Sequence, residues 1–147
     1  ACQALARAHE QFDAQLLLYP AVDLGVSEEE YPSRVRDADP TLRRASLEIC
    51  VADYAAGADA NDPRLSPLKA PDLSGLPSAL TVVLSVDPLR DEAVAYADRL
   101  REAGVASELL EFDNLTPGFV HFAGLIPAAA EATNVVTARL RALLAKN

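Results

Sequence analysis

Residues 79–86 (ALTVVLSV) constrain the fold of this chain more than any other stretch of its sequence. They form a continuous run without a charge, and several of them are β-branched, which is typical of a strand buried on both faces. Strands of that kind occur in parallel sheets, whose faces are covered by helices. Two further runs, residues 15–19 (QLLLY) and 106–112 (ASELLEF), are also predicted to be strands.

Predicted helices alternate with these three strands. They cover residues 1–12, 41–57, 91–104 and 124–145. Asp39 followed by Pro40 predicts the start of the second helix, and the proline-containing residues 21–40 and 58–78 are expected to be loops. The alternation predicts an α/β fold with parallel strands and right-handed crossovers.

Two of these helices carry apolar residues at helical spacing, which we expect to face the core. In residues 41–57 these positions are Leu42, Ala45, Ile49 and Ala52. In residues 124–145 they are Leu125, Val136, Leu140 and Leu144.

The predicted sheet is small for a complete domain. Parallel sheets need cover on both faces and usually contain more than three strands. No internal repeat supplies further strands, and residues 1–12 begin inside a helix without a cap signal. The sequence therefore predicts part of an α/β domain.

The charge of the chain argues against two classes of partner. Its 13 basic and 22 acidic residues give a net charge of −9, whereas nucleic acids and anionic membrane surfaces attract clustered Lys and Arg. No apolar run approaches the roughly 20 residues of a membrane-spanning helix. A signal-peptide pattern is also missing, so a cytoplasmic protein is expected.

Neither a cofactor nor a metal ion is expected. The six glycines are scattered singly and form no phosphate-binding loop. The two histidines and two cysteines form no cluster with metal-ligand spacing. Cys2 and Cys50 are expected to be buried free thiols.

A carboxylate and a histidine follow two successive predicted strands. Asp87 comes directly after residues 79–86, and His121 comes shortly after residues 106–112. The carboxyl ends of parallel strands meet at one edge of a sheet, where functional groups gather. This order matches the last two members of the hydrolase triad, in which Asp orients the imidazole that takes a proton from serine. Asp87 as a helix cap alone is the alternative, and both interpretations stay open here.

The nucleophile of such a triad is missing from the chain. Gly-x-Ser-x-Gly, the turn that exposes the serine hydroxyl, does not occur. The nearest pattern, residues 25–29 (GVSEE), lacks the second glycine.

Several segments resemble the carboxyl-terminal half of the hormone-sensitive-lipase-like family of α/β-hydrolases, which are carboxylesterases and lipases. They are residues 15–20 (QLLLYP), 62–68 (DPRLSPL), 73–77 (LSGLP), 87–92 (DPLRDE) and 96–100 (YADRL). The resemblance implies that residues 1–147 are a partial α/β-hydrolase domain. The half with the nucleophile turn, the oxyanion hole and the cap helices would precede it.

The resemblance also implies roles for single residues. Asp87 is implied as the triad acid, and the family's His-Gly-Phe reads Pro-Gly-Phe here, with Pro117 in the place of the base. Proline has no ionisable group and cannot transfer the proton. If the segment is α-helical, His121 lies one turn beyond position 117 on the same face. His121 is therefore either a substitute base or a histidine packed among its apolar neighbours, Phe119, Val120 and Phe122.

Two functions remain open from the sequence. The first is a carboxylic-ester hydrolase that acts on a small-molecule ester. This chain would be the carboxyl-terminal part of that enzyme and would be inactive by itself. The second is an inactive, truncated or decayed homologue that serves binding or assembly. In either case a homodimer is expected, or pairing through an exposed strand edge at residues 15–19 or at the last strand.

Overall fold

The computed structural model describes residues 12–25, 30–36 and 38–145. Their strands and helices are β1 (Ala14–Leu18), α1 (Pro32–Arg36), α2 (Arg44–Ala55), β2 (Ser78–Leu84), α3 (Arg90–Glu102), β3 (Ser107–Phe112) and α4 (Pro127–Leu144). Short 3₁₀ turns lie at Pro67–Lys69 and Phe119–Phe122. The helix expected over residues 1–12 falls almost entirely outside the described residues. None of the described helices has the length and apolarity needed to cross a membrane.

The three strands form one parallel sheet in the order β1-β2-β3. Leu16 of β1 lies opposite Leu80 of β2, and Leu84 of β2 lies opposite Phe112 of β3. The Ser85 N–H continues the pairing, since it donates to the Phe112 carbonyl at 3.1 Å. The α/β fold class with three parallel strands is therefore confirmed, and the carboxyl ends of β2 and β3 lie side by side.

β2 is the central strand, and its side chains after Ser78 are all buried, as predicted. On one face, Ala79 packs into a core that includes Tyr96 and Leu100 of α3. On the other face, β2 contributes to a core with α4; its members from the strand are Leu80, Val82 and Leu84. Burial of each such leucine or valine stabilises the fold by about 1.5–3 kcal/mol, so this strand is a rigid support for the residues that follow it.

β1 is less buried than its sequence predicts. Gln15 is buried but Leu16 is 37% exposed. β1 is at one edge of the described sheet and has β2 as its neighbour. An edge strand has a neighbouring strand on one side only, which leaves more of it exposed than a central strand.

The described part of the segment between β1 and α2 departs from the predicted loop. It contains α1, and its Asp39 does not cap α2 directly. The Asp39 Oδ1 atom accepts hydrogen bonds from the N–H groups of Thr41, at 2.6 Å, and Leu42, at 3.0 Å. These bonds form a turn in front of the helix, so α2 begins at Arg44 rather than at residue 41.

The predicted apolar face of α2 is wrong. Leu47 is the buried residue of this helix, whereas Ile49 is 63% exposed. Cys50 is also exposed and carries a free thiol. The prediction of a free thiol is confirmed for Cys50 and that of a buried one is wrong; Cys2 lies outside the described residues.

The last helix agrees with its predicted face only in part. α4 begins at Pro127, because a 3₁₀ turn and an extended Ile126 precede it. Val136 is buried and Leu140 packs against the core, but Leu125 is 83% exposed and Leu144 is 44% exposed.

Candidate active site

Asp87 lies just beyond the carboxyl end of β2, in the turn that leads into α3. The turn is closed by two backbone hydrogen bonds, from the Asp87 N–H to the Leu84 carbonyl and from the Arg90 N–H to the Asp87 carbonyl, both 3.1 Å long. The Asp87 Oδ1 atom accepts the Leu89 N–H at 2.9 Å. This bond closes a turn onto Leu89, the N-cap residue of α3, and is not a side-chain cap of the helix. It uses one carboxylate oxygen only.

The second oxygen of Asp87 is buried and has no hydrogen-bond partner. Asp87 as a whole is 1% exposed. Burial raises the pKa of its carboxyl from 3.8 to about 6, the Leu89 N–H opposes this shift, and the negative charges of Asp39 and Glu92 add to it. The carboxylate is therefore costly in its charged form and has a free position for a hydrogen-bond donor.

This raised pKa predicts how the stability of the chain depends on pH. The folded Asp87 keeps its proton up to about pH 6, whereas the unfolded one loses it near pH 4. The folded state binds more protons in this window, so the Asp87 contribution to the unfolding free energy falls as pH rises, by about 3 kcal/mol in total. We expect Asp87→Asn to stabilise the 147-residue chain at pH 8 and to do so about half as strongly at pH 5.

Urea unfolding of both proteins at the two pH values measures this effect. Asp59→Asn is a suitable control, because Asp59 is an exposed residue of the loop after α2. An Asp87→Asn effect that is equal at both pH values would contradict the prediction.

A buried ion pair connects α3 to the loop that follows β1. Glu92 is fully buried and pairs with Arg34 of α1, whose Nε donates to Glu92 Oε2 at 2.9 Å. Glu92 Oε1 accepts the N–H groups of Val22, at 2.8 Å, and Asp23, at 3.1 Å. Glu92 thus holds the chain after β1 against the helix that follows Asp87.

Loss of Glu92 is expected to destabilise the chain strongly. Glu92→Ala leaves the buried Arg34 guanidinium without its partner, which costs about 3–5 kcal/mol. The matched control is Glu48→Ala, which removes an exposed pair between Glu48 and Arg44 of α2 and should cost about 0.5 kcal/mol or less. Denaturant unfolding of the two variants checks this, and equal losses would contradict it.

A second ion pair joins the Asp87 turn to β3. Arg90, the first residue of α3, donates from Nε to Glu111 Oε1 at 2.7 Å and from Nη2 to Glu111 Oε2 at 2.9 Å. The two-point contact fixes the distance between the turn after β2 and the last part of β3.

The loop after β3 contains Pro117 and His121. Its 3₁₀ turn is anchored by Phe119, which is 2% exposed and packs edge-on against Tyr19 and Phe112 with ring centroids 6.1 and 5.9 Å apart. Gly118 supplies the left-handed backbone, φ 88°, that leads into the turn. The loop is therefore firmly held at the edge of the sheet where Asp87 lies.

His121 does not occupy the position predicted for a substitute base. In a 3₁₀ turn residues three apart are aligned, so His121 lies over position 118 rather than over Pro117. A Cβ atom at Gly118 would be 3.8 Å from His121 Cδ2, which agrees with this alignment. His121 is exposed, so the alternative of a packed histidine is wrong. Asp87 and His121 are both among the described residues, and the free oxygen of Asp87 receives no hydrogen bond from the imidazole.

The site has no features of a metal centre. Among the described residues, no three His, Cys, Asp or Glu side chains are grouped so that they could hold a metal ion. The reactive group of the site is the buried carboxylate of Asp87, which has one free oxygen. The neighbouring loop carries Pro117.

Comparison with known proteins identifies the class to which this arrangement belongs. The family model for the alpha/beta hydrolase fold matches residues 1–121, and the chain belongs to this family.

Its relatives are esterases and lipases, and the resemblance to hormone-sensitive-lipase-like proteins is confirmed. The chain is 41% identical over 135 residues to carboxylesterase NlhH of Mycobacterium tuberculosis. The matched region covers 88% of this chain and 41% of that protein. It is 34% identical over 116 residues to hormone-sensitive lipase of Mus musculus, covering 76% of this chain and 15% of that protein. A crystal structure of an esterase from the bacterial hormone-sensitive lipase family superposes with a TM-score of 0.86 at 30% identity, covering 97% of this chain and 48% of the other. The chain thus spans about two fifths of the length of the carboxylesterase.

The contacts between the loop after β1 and the Asp87 turn could not be predicted from the sequence. Glu92 belongs to the quoted segment 87–92, but nothing in the segment reveals its partner. Arg34 and Ser33 lie in a stretch interpreted as a loop, and both are buried. No local signal in residues 32–36 (PSRVR) distinguishes the buried Arg34 from the exposed Arg36.

Proposed function

We propose that residues 1–147 are the carboxyl-terminal part of an α/β-hydrolase domain that cleaves carboxylic esters, with Asp87 as the acid of its triad. The observation that carries the proposal is the free, buried Oδ2 atom of Asp87 at the carboxyl edge of the sheet. A buried oxygen without a hydrogen bond costs free energy. A triad supplies the missing donor, an imidazole N–H, at this place. The similarity to carboxylesterases supports this reading of the site.

In the proposed reaction a serine from the upstream half attacks the ester carbonyl. An imidazole accepts the serine proton and returns it to the leaving alcohol, while Asp87 holds the imidazole N–H and stabilises its positive charge. His121 is the candidate base that this chain contains. The substrate is a small-molecule ester, and the chain on its own, without the serine, is expected to be inactive.

One observation favours a second function. Position 117 carries proline, and the exposed His121 makes no hydrogen bond to the free oxygen of Asp87. A homologue that has lost its base but kept the scaffold for binding or assembly would have these features.

Ester hydrolysis by the full-length polypeptide tests the first function. If a Gly-x-Ser-x-Gly turn precedes Ala1, the protein is expected to hydrolyse short-chain p-nitrophenyl esters, and Ser→Ala at that turn should abolish the activity. No measurable hydrolysis by the intact protein would favour the second function.

We further propose that the chain self-associates through an edge of its sheet. β1 is at one edge with Leu16 37% exposed, and unpaired strand edges promote pairing between chains. β3, at the other edge, is the alternative.

A cytoplasmic location stays a prediction from the sequence.

Sedimentation of the 147-residue chain measures this association. Leu16→Lys should weaken a dimer formed through β1, whereas Val135→Lys, a change at an equally exposed position of α4, should not. A monomer at high concentration would refute self-association.

A further inference from the structure

Ser33 of α1 contacts the Asp87 turn from a distant part of the sequence. It is 3% exposed, and its hydroxyl donates to the Pro88 carbonyl at 2.8 Å. The same hydroxyl oxygen accepts the Asp91 N–H at 3.2 Å, and the Ser33 N–H donates to Asp91 Oδ2 at 2.8 Å. Three hydrogen bonds thus join one serine to the residues on either side of Leu89.

These bonds satisfy groups that the turn cannot satisfy by itself. The first N–H groups of a helix have no partner within the helix, and Leu89, at the N-cap of α3, has no side chain that could accept one. The Ser33 hydroxyl therefore caps α3 from outside. Proline at position 88 has no N–H to tie the turn down, and the Ser33 hydroxyl binds its carbonyl instead.

The neighbouring residue strengthens the same attachment. Arg34 forms the buried ion pair with Glu92, one residue beyond Asp91. Residues 33 and 34 together hold positions 88, 91 and 92, directly after Asp87. The carboxylate is anchored on its other side by β2, so its direction depends on how well this attachment holds.

We propose that Ser33 is a positioning residue for Asp87, because it fixes the turn that presents the free carboxylate oxygen. This inference rests on the proposed function in so far as it concerns catalysis. The immobilisation of the Asp87 turn is a property of the chain itself and can be measured without any activity.

A titration of the Asp87 carboxyl by NMR in the 147-residue chain tests the positioning. With Ser33→Ala the turn loosens and admits water, so the pKa should fall from about 6 toward 3.8, by about one unit. Asp91→Ala removes the acceptor of the Ser33 N–H but leaves both bonds of the Ser33 hydroxyl in place, so we expect a smaller shift in the same direction, which can be measured even if Ser33→Ala prevents folding.

The matched control is Arg99→Ala in the last turn of α3. Arg99 donates to the carbonyls of Leu68 and Ala70, so its loss also removes two side-chain hydrogen bonds, but far along the helix from Asp87. It should leave the Asp87 titration unchanged. If Ser33→Ala or Asp91→Ala titrates like the unaltered chain, the proposal is wrong. It is also wrong if Arg99→Ala shifts the pKa of Asp87 equally.

Kinetics of the full-length protein form a separate arm. Ser33→Ala should lower kcat for p-nitrophenyl esters about 10-fold or more while KM changes less than about twofold, because misplacement affects the transition state rather than substrate binding. Ser33→Thr, which keeps the hydroxyl, should recover most of the loss. If the full-length protein has no activity, the proposed function is wrong but the titration result remains valid. If the Asp87 titration is unchanged, the positioning role of Ser33 is wrong whatever the activity.

Discussion

Histidine in place of Pro117 is expected to raise the kcat of the full-length protein on p-nitrophenyl esters by about 10²–10⁴-fold, the usual contribution of a positioned general base. β2 and β3 pair up to Leu84 and Phe112, so position 117 follows the strand next to the one that ends before Asp87. Phe119 already anchors the loop through its ring contacts with Tyr19 and Phe112. The change adds the missing proton carrier to a loop that is otherwise held in place.

Two controls define the result. Pro71→His places the same side chain at an exposed position in the loop before β2, away from the carboxyl ends of the strands, and should give no gain. His121→Ala should not reduce the activity of the Pro117→His protein. If Pro117→His gives no gain while His121→Ala abolishes an existing activity, then His121 is the base, contrary to its alignment with position 118.

Asparagine in place of Asp87 is expected to remove the gain from Pro117→His almost completely. The same change in the triad of a serine protease lowers kcat by about 10⁴-fold, because the imidazole then adopts the wrong tautomer. In the Pro117 background the effect should be smaller by orders of magnitude, since His121 makes no hydrogen bond to the free oxygen of Asp87. The four proteins form a double-mutant cycle whose coupling energy measures the Asp87–histidine contact.

The stability of the same variants makes the cycle easier to interpret. Asp87→Asn should stabilise the isolated chain at pH 8, for the electrostatic reason given above. Urea unfolding of the full-length variants then shows whether a lost activity is due to unfolding. If the effects of Asp87→Asn are equal in the two backgrounds, Asp87 does not act through residue 117 and the proposed triad is wrong.

The elements that the sequence predicts well are those whose signals are local. β2 is a continuous apolar run, and α3 follows Asp-Pro with acids in its first turn and ends before Gly104. The parallel sheet follows from the alternation of such elements. For the same reason Asp87 could be placed at the carboxyl edge before any coordinates were known.

The elements that it predicts poorly depend on contacts between distant residues. Ser33 meets Pro88 and Arg34 meets Glu92 across more than fifty positions of sequence, and no local pattern encodes either pairing. The face of α2 was wrong because the helix packs mainly through Leu47 and leaves Ile49 exposed. The predicted alignment of His121 with position 117 assumed an α-helix. The segment forms a 3₁₀ turn instead, in which residues three apart rather than four apart are aligned.

The attachment of α1 to the Asp87 turn has a practical consequence for protein engineering. Exchange of segments between esterases is often planned along loops, and residues 21–43 would be an obvious place to cut. Here a crossover after Arg34 would separate Ser33 and Arg34 from the residues they hold, which lie beyond β2. A chimaera that keeps residues 31–92 from one parent retains both the Ser33 hydrogen bonds and the buried Arg34–Glu92 ion pair. The proposed triad acid, Asp87, is then transferred together with the residues that hold its turn.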